Sequence, residues 1–171
     1  MTRYLRSFFL LLPLLICANA VKSASLCTSD EFIYFNSSFK SAPKDVDEKP
    51  INASFCADTA RNATNLVFRM GELENIEVEY SVPRDGKFFT AEQVISPQIS
   101  MKAIYFSKDN RTFVLAACHG DMCQSEFEFF QFVGSKKTNS LLSERGTGGF
   151  EPIEINENIL TKEKPLLLKL K

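Results

Sequence analysis

The strongest constraint on this chain is a period of two. Asn75-Ile-Glu-Val-Glu-Tyr-Ser-Val82 alternates without a break: Ile76, Val78, Tyr80 and Val82 on one side, Glu77 and Glu79 on the other. Such a segment suits a strand with one buried face and one wet face, and it suits no helix. Ile99–Phe106 repeats the pattern, setting Ile99, Met101, Ala103 and Tyr105 against Ser100 and Lys102. Polar residues 107–111 follow, then Thr112–Cys118, so 99–118 is predicted to be a hairpin with Asn110 at its tip. Asn65–Met70 before Gly71, a run starting near Lys87, and Gln124–Val133 read as further strands. Pro83-Arg-Asp-Gly86 is a turn, because proline presets φ and glycine accepts positive φ. The proline-bounded, charged stretch Ser41–Pro50 reads as a loop. Strands about every ten residues with short turns predict an all-β fold, an up-and-down antiparallel β-barrel or a sandwich.

The N-terminus sets the compartment. Arg3 and Arg6 precede an apolar run from Phe8 to Ile16, and Ala18-Asn19-Ala20 supplies small residues for cleavage. Residues 1–20 therefore read as a secretory signal peptide, leaving 21–145 as the barrel domain and 146–171 as a C-terminal tail or helix. The apolar run is too short to span a bilayer as a helix. Losing two arginines reduces 20 basic side chains to 18 against 21 acidic ones, a net charge of −3. So mild a value argues against nucleic acid or an anionic membrane as the main partner. LLLKLK at residues 166–171 is too short for stable membrane insertion.

In a secreted chain, Cys27, Cys56, Cys118 and Cys123 imply two disulfides, with three possible pairings. Asn36, Asn52, Asn62 and Asn110 each begin an N-x-S/T sequon, so some are expected to carry glycans on the surface. The segment Cys118-His-Gly-Asp-Met-Cys123 offers potential zinc ligands, but the chain has one histidine and oxidised thiols do not bind zinc. The two cysteines have four residues between them in a β-turn, not a CxxC at a helix start, which argues against a redox pair. His119 reads as a solvated turn residue, Glu77 and Glu79 as a wet strand face, and Gly146–Gly149 as a flexible break without the strand–helix context of a phosphate loop. No catalytic set, cofactor site or metal site is expected.

YFSKDNRTFVLAACHGDMC followed by FEFFQFVGSKK resembles the lipocalin pattern, a hairpin entering a strand that ends in cysteine and then a strand ending in basic residues. The resemblance implies a barrel with a C-terminal helix on its outer wall and a Cys27–Cys118 bridge. The family pairs the counterpart of Cys56 with a cysteine in the C-terminal tail, which this chain lacks, so Cys56–Cys123 is a departure from its pattern. The family's G-x-W motif is missing, since Phe32-Ile-Tyr-Phe35 stands in its place and the chain has no tryptophan. On the Gln124–Val133 strand, glutamates 126 and 128 should face water, which turns Phe127, Phe129 and Gln131 inward. Phe130 and Phe132 then lie outside and need cover, which the outer helix would supply.

A barrel so built has an interior lined by Ile76, Val78, Tyr80, Met101, Ala103, Tyr105, Phe127 and Phe129, with tyrosines and Gln131 to orient a guest. The expected function is capture of a small apolar ligand by a secreted, extracellular glycoprotein. The alternative is a solid barrel whose loops bind an extracellular protein, with Phe88 and Phe89 as exposed aromatics beside a turn.

Overall fold

A computed structural model describes residues 24–41, 49–120, 123, 125–143 and 148–162. The expected signal peptide at 1–20, most of the loop Ser41–Pro50, and 163–171 lie outside the described residues. The described chain is all-β: β1 (Phe32–Ser41), β2 (Ile51–Ala57), β3 (Leu66–Glu72), β4 (Asn75–Val82), β5 (Phe88–Ser96), β6 (Ile99–Lys108), β7 (Arg111–His119), β8 (Phe127–Val133), β9 (Lys136–Ser143), β10 (Gly149–Phe150) and β11 (Leu160–Lys162). All eleven strands belong to one sheet in the order β11-β5-β6-β7-β8-β9-β1-β2-β3-β4, with β10 beside β1. Among the described residues the β5–β11 ladder is parallel, as is an isolated bridge between Ala63 and Ile155, and the other ladders are antiparallel. Among the described residues no helix is long and apolar enough to cross a membrane.

The expected hairpin at 99–118 forms in register from Ser100↔His119 to Lys108↔Arg111. Its two tip residues, Asp109 and Asn110, have φ of 51° and 59°. Positive φ at both central residues matches the right-handed twist of the flanking strands, and Asx residues tolerate it.

The sheet curls but does not close, so a continuous barrel wall is corrected to an open one. β1 pairs antiparallel with both β2 and β9. Tracing the ladders from β4 through β1 and β9 to β5 crosses eight antiparallel pairings, which leaves β4 and β5 pointing the same way in the ladder sense. Parallel neighbours need a crossover of about a dozen residues or more. Residues 83–87 are too few, and β4 and β5 do not pair.

The tail lies along that seam. Gly148 passes so close to β1 that a Cβ there would lie 2.0 Å from the Asn36 carbonyl oxygen. Beyond β10, the Ala63 N–H donates to the Glu154 carbonyl (2.9 Å) and the Asn156 N–H to the Ala63 carbonyl (3.1 Å). β11 then runs beside β5, Leu160 opposite Phe88 and Lys162 opposite Thr90. In place of the expected C-terminal helix, 148–162 therefore contributes two short strands to the sheet.

The concave face is filled by phenylalanine. Nine of the 16 phenylalanines in the chain belong to one buried cluster. Phe68 lies 5.0 Å from Phe55, 5.1 Å from Phe106 and 6.0 Å from Phe129 between ring centroids, so β3 touches β2, β6 and β8 through one side chain. Phe88 of β5 meets Phe55 of β2 at 5.2 Å and Tyr80 of β4 at 5.3 Å, which draws the two sides of the seam together by rings instead of backbone bonds. Phenylalanine suits such an interior because it has no polar atom to satisfy. Phe88, expected to be exposed, is therefore fully buried.

A second anchor ties the N-terminal segment to the sheet. The Arg69 guanidinium on β3 pairs with both Glu31 carboxylate oxygens, donates to Glu79 on β4 (3.0 Å) and reaches the Leu26 carbonyl. Burial alone would raise the Glu31 pKa, but the Arg69 and Thr28 hydrogen bonds outweigh it and hold the carboxyl below its usual range. The Arg69 hydrogen bond likewise lowers Glu79 against the opposing effect of burial.

Two stability predictions follow from these contacts. Phe68→Ala removes a fully buried ring and should cost about 3–5 kcal/mol in denaturant unfolding. Arg69→Met strands Glu31, whose side chain is 16% exposed, and should cost about 2–3 kcal/mol. Glu31 and Glu79 bind protons more weakly folded than unfolded, so protonation favours unfolding. Their contribution is complete above the ordinary glutamate pKa of about 4.3 and is lost as pH falls through the lowered folded values. Unfolding midpoints measured between pH 7 and 3 should fall more steeply for the wild type than for Arg69→Met.

Candidate functional site

Ladder register arranges the concave face of β5–β8 in rows. Phe88, Phe106, Phe113 and Gln131 form one; Thr90, Ile104, Leu115 and Phe129 the next; Glu92, Lys102, Ala117 and Phe127 a third. Adjacent residues on a strand face opposite ways, so every second position enters each row. The first two rows are nearly all apolar, whereas the third begins with two charges. Chemistry thus changes along the strands, from a sealed aromatic core to a charged mouth.

At that mouth lies a cavity of about 440 Å³. Its lining includes Ile104, Ala117 and Phe127, with Tyr34 of β1 and Phe150 of β10 beside them. Tyr34 and Phe150 meet edge to face at 5.4 Å, and Phe150 lies 5.9 Å from Phe127. Burial pushes the Tyr34 hydroxyl pKa up, so the group stays neutral at physiological pH. Thr90, Glu92, Lys102, His119, Glu126 and Lys162 supply the polar lining. Glu92 and Lys102 stand opposite each other across the β5–β6 ladder, 4.0 Å apart and largely exposed, a pair worth well under about 1 kcal/mol.

Of the residues expected to line the ligand site, Phe127 and Ala103 line this cavity. Tyr80 and Phe129 are in the packed core, and Val78 packs against it half-buried. Ile76 is 44% exposed, at the start of β4. Gln131 is half-buried, between Phe113 and Asn139 in register. Met101, Ala103 and Tyr105, expected inside, form a separate buried cluster with Ala91, Val114, Ala116 and Phe130. Their strand neighbours Ile104 and Phe106 belong to the inner core, so this second cluster occupies the outer face. Strand β6 is apolar on both faces, and Ser100 and Lys102 disguise the inner one because they lie where it opens to water. A charge pair at register positions 92 and 102 was the available signal, legible only once the turn at 97–98 is recognised.

The outer cluster also holds Phe130 as expected, with Phe132 packed beside it. The Lys137 ammonium lies 4.0 Å above the Phe130 ring, and Phe89 stacks on Tyr105 at 5.4 Å. Burial raises the Glu128 pKa, with Lys137 acting weakly against it.

The disulfides pair differently from the lipocalin habit. Cys27 bonds Cys56, and Cys118 bonds Cys123. Cys118 sits at the end of β7 and its N–H donates to the Glu126 carbonyl, so its nearest sulfur partner is within the same β7–β8 connection. The two sulfurs of the CHGDMC segment are therefore bonded to each other and are not thiolates. Cys27 and Cys56 lie within reach of Glu31, but they too are bonded to each other. Two disulfides fit an oxidising compartment.

The sequons divide by burial. Asn62 and Asn110 are exposed. Asn36 is half-buried with its side-chain oxygen accepting from Ser54 (2.9 Å). Asn52 is 8% exposed, and its oxygen accepts from Ser38 (2.7 Å).

Comparison with models of protein families, with curated proteins and with solved structures finds no match.

A glycan needs an amide that faces water, so glycopeptide mass spectrometry of the chain from a eukaryotic secretory host should find Asn62 and Asn110 occupied and Asn52 bare. Full occupancy at Asn52 would mean the β1–β2 ladder is not packed as described.

Proposed function

We propose that this chain is a secreted glycoprotein that holds a small amphipathic molecule in the cavity at the open end of its curled sheet. The apolar part of the guest rests on Ile104, Ala117, Phe127 and Phe150, and its polar end meets the charged mouth. The observation that carries the reading is the cavity itself: about 440 Å³, aromatic and aliphatic within, ionic outside. Ligand pockets occupy roughly 300–1,000 Å³, are mostly apolar and bear a few placed polar groups. In this reading the sheet is a lipocalin-like barrel, open at its β4–β5 seam, whose ligand sits near one end because the middle is filled. The apolar N-terminal run, four sequons and two disulfides support export.

The outer cluster favours a second reading, a protein-binding module. Tyr105, Val114 and Phe130 form a contiguous buried apolar stripe across β6, β7 and β8, and the partly exposed Phe89 and Phe132 at its margin offer an apolar surface of the kind that serves in protein contacts. Co-purification of a stoichiometric protein partner, lost on Phe89→Ala, would favour it.

Ala117→Trp fills the cavity from its wall and tests the first reading. The wild type should take up a fluorescent fatty acid with micromolar affinity or better, and the variant should bind it at least tenfold more weakly while retaining the wild-type circular dichroism. Equal uptake by the two proteins would place the ligand elsewhere.

A further inference from the structure

Two opposite charges line the same cavity without meeting. Glu126 stands just before β8, and Lys162 ends β11. Among the described residues neither makes an ion pair or a side-chain hydrogen bond. Glu92 and Lys102, by contrast, already face each other at 4.0 Å and contribute no net charge. The mouth therefore holds one unpaired carboxylate and one unpaired ammonium, both exposed and both beside an apolar floor.

We infer that the guest is a zwitterion, an amphiphile whose head carries a cationic and an anionic group together. The inference rests on the ligand-binding reading above and specifies its substrate class. An anionic head attracted to Lys162 also meets the Glu126 carboxylate, and a cationic head attracted to Glu126 meets Lys162. In either case like charges approach at a rim whose dielectric is lowered by the aromatic floor, where their repulsion exceeds its value in bulk water. A head bearing both signs answers each charge with its opposite and leaves neither uncompensated. His119 adds a ring able to hydrogen-bond the same head. The apolar tail lies along Ile104, Ala117 and Phe127, where burial contributes roughly 25 cal/mol per Å² whatever the head carries. Tail burial thus sets a common affinity, and the two unpaired charges set the preference.

Three probes with one decyl tail separate these contributions: decylphosphocholine, decanoate and decyltrimethylammonium, each titrated calorimetrically into the full, disulfide-bonded chain below its micelle concentration. The zwitterion should bind roughly three- to fivefold tighter than either singly charged probe, the size expected of exposed ion pairs. Glu126→Gln should bring decanoate level with decylphosphocholine, and Lys162→Gln should do the same for decyltrimethylammonium. Both side chains are exposed, so the variants should keep the wild-type unfolding midpoint, which the same preparations check. If decanoate or decyltrimethylammonium matches the zwitterion on the unaltered protein, the inference is overturned and the ligand-binding reading survives. If none of the three binds, that reading falls and takes the inference with it.

Discussion

An antiparallel sheet can close into a ring only with an even number of strands, because each neighbour must reverse direction. This chain brings nine long strands to the task and closes β9 onto β1 antiparallel. The mismatch has to appear somewhere, and it appears between β4 and β5, which a five-residue link cannot join as parallel partners. Everything distinctive about the fold follows from that seam. The tail can add β11 to β5 as a parallel strand because the edge is vacant. On its way there it places Phe150 against Phe35 and Phe127, and then Lys162 at the cavity mouth. The candidate site is thus built partly by residues that reach it through the break in alternation.

An unpaired seam exposes backbone groups, and side chains hold it instead. Phe88 and Tyr80 face each other from its two sides, while the Lys108 ammonium donates to the Glu79 carbonyl at 2.7 Å. Ring contacts across the seam extend the aromatic core to the strand edges, and the Tyr80 hydroxyl donates to the Lys87 carbonyl at 3.4 Å, so opening the seam would break packing as well as hydrogen bonds. At the other end the core stops where Ile104 and Ala117 give way to Lys102 and His119. Alanine at 117 is small enough to leave a hollow where phenylalanine at the neighbouring positions of the ladder would fill it. The cavity is a consequence of side-chain volume at one row of an otherwise packed face.

Much of this could be read from the sequence where one face of a strand is wet along its whole length. Asn75–Val82 is a strand with the boundaries its alternation implies, and the 99–118 hairpin forms about the predicted tip. Period two names the faces but not which is concave, and where both faces are apolar the polar residues mislead. In β6 they lie at the mouth, so alternation points Met101 and Tyr105 inward although they belong to the outer cluster. β9, with its polar first half Lys136–Asn139, gives little alternation and escaped notice. The fate of the tail was not legible at all, because β10 and β11 are strands only through partners far away in sequence, β1 and β5. Four cysteines announced two bridges, but their pairing depends on distances that the sequence does not contain.

The two bridges constrain different things. Cys27–Cys56 spans 29 residues and removes loop entropy worth about 3.6 kcal/mol from the unfolded chain, whereas Cys118–Cys123 spans five and removes about 2 kcal/mol. The first works beside Arg69, fixing Leu26 and Glu31 against β2, β3 and β4 where a backbone ladder would otherwise be needed. The second is worth less to global stability and acts where the cavity is. Cys118 faces outward on β7, so the adjoining His119 faces inward, and the bridge limits how far that turn can move. Glu126 resumes the chain after the same turn, with its carbonyl bonded to the Cys118 N–H at 3.0 Å. In the proposed ligand-binding reading, a head at the mouth would meet groups set in advance by a covalent staple and a ladder hydrogen bond. Less ordering would then have to be done on binding, which would leave more of the contact energy to appear as affinity.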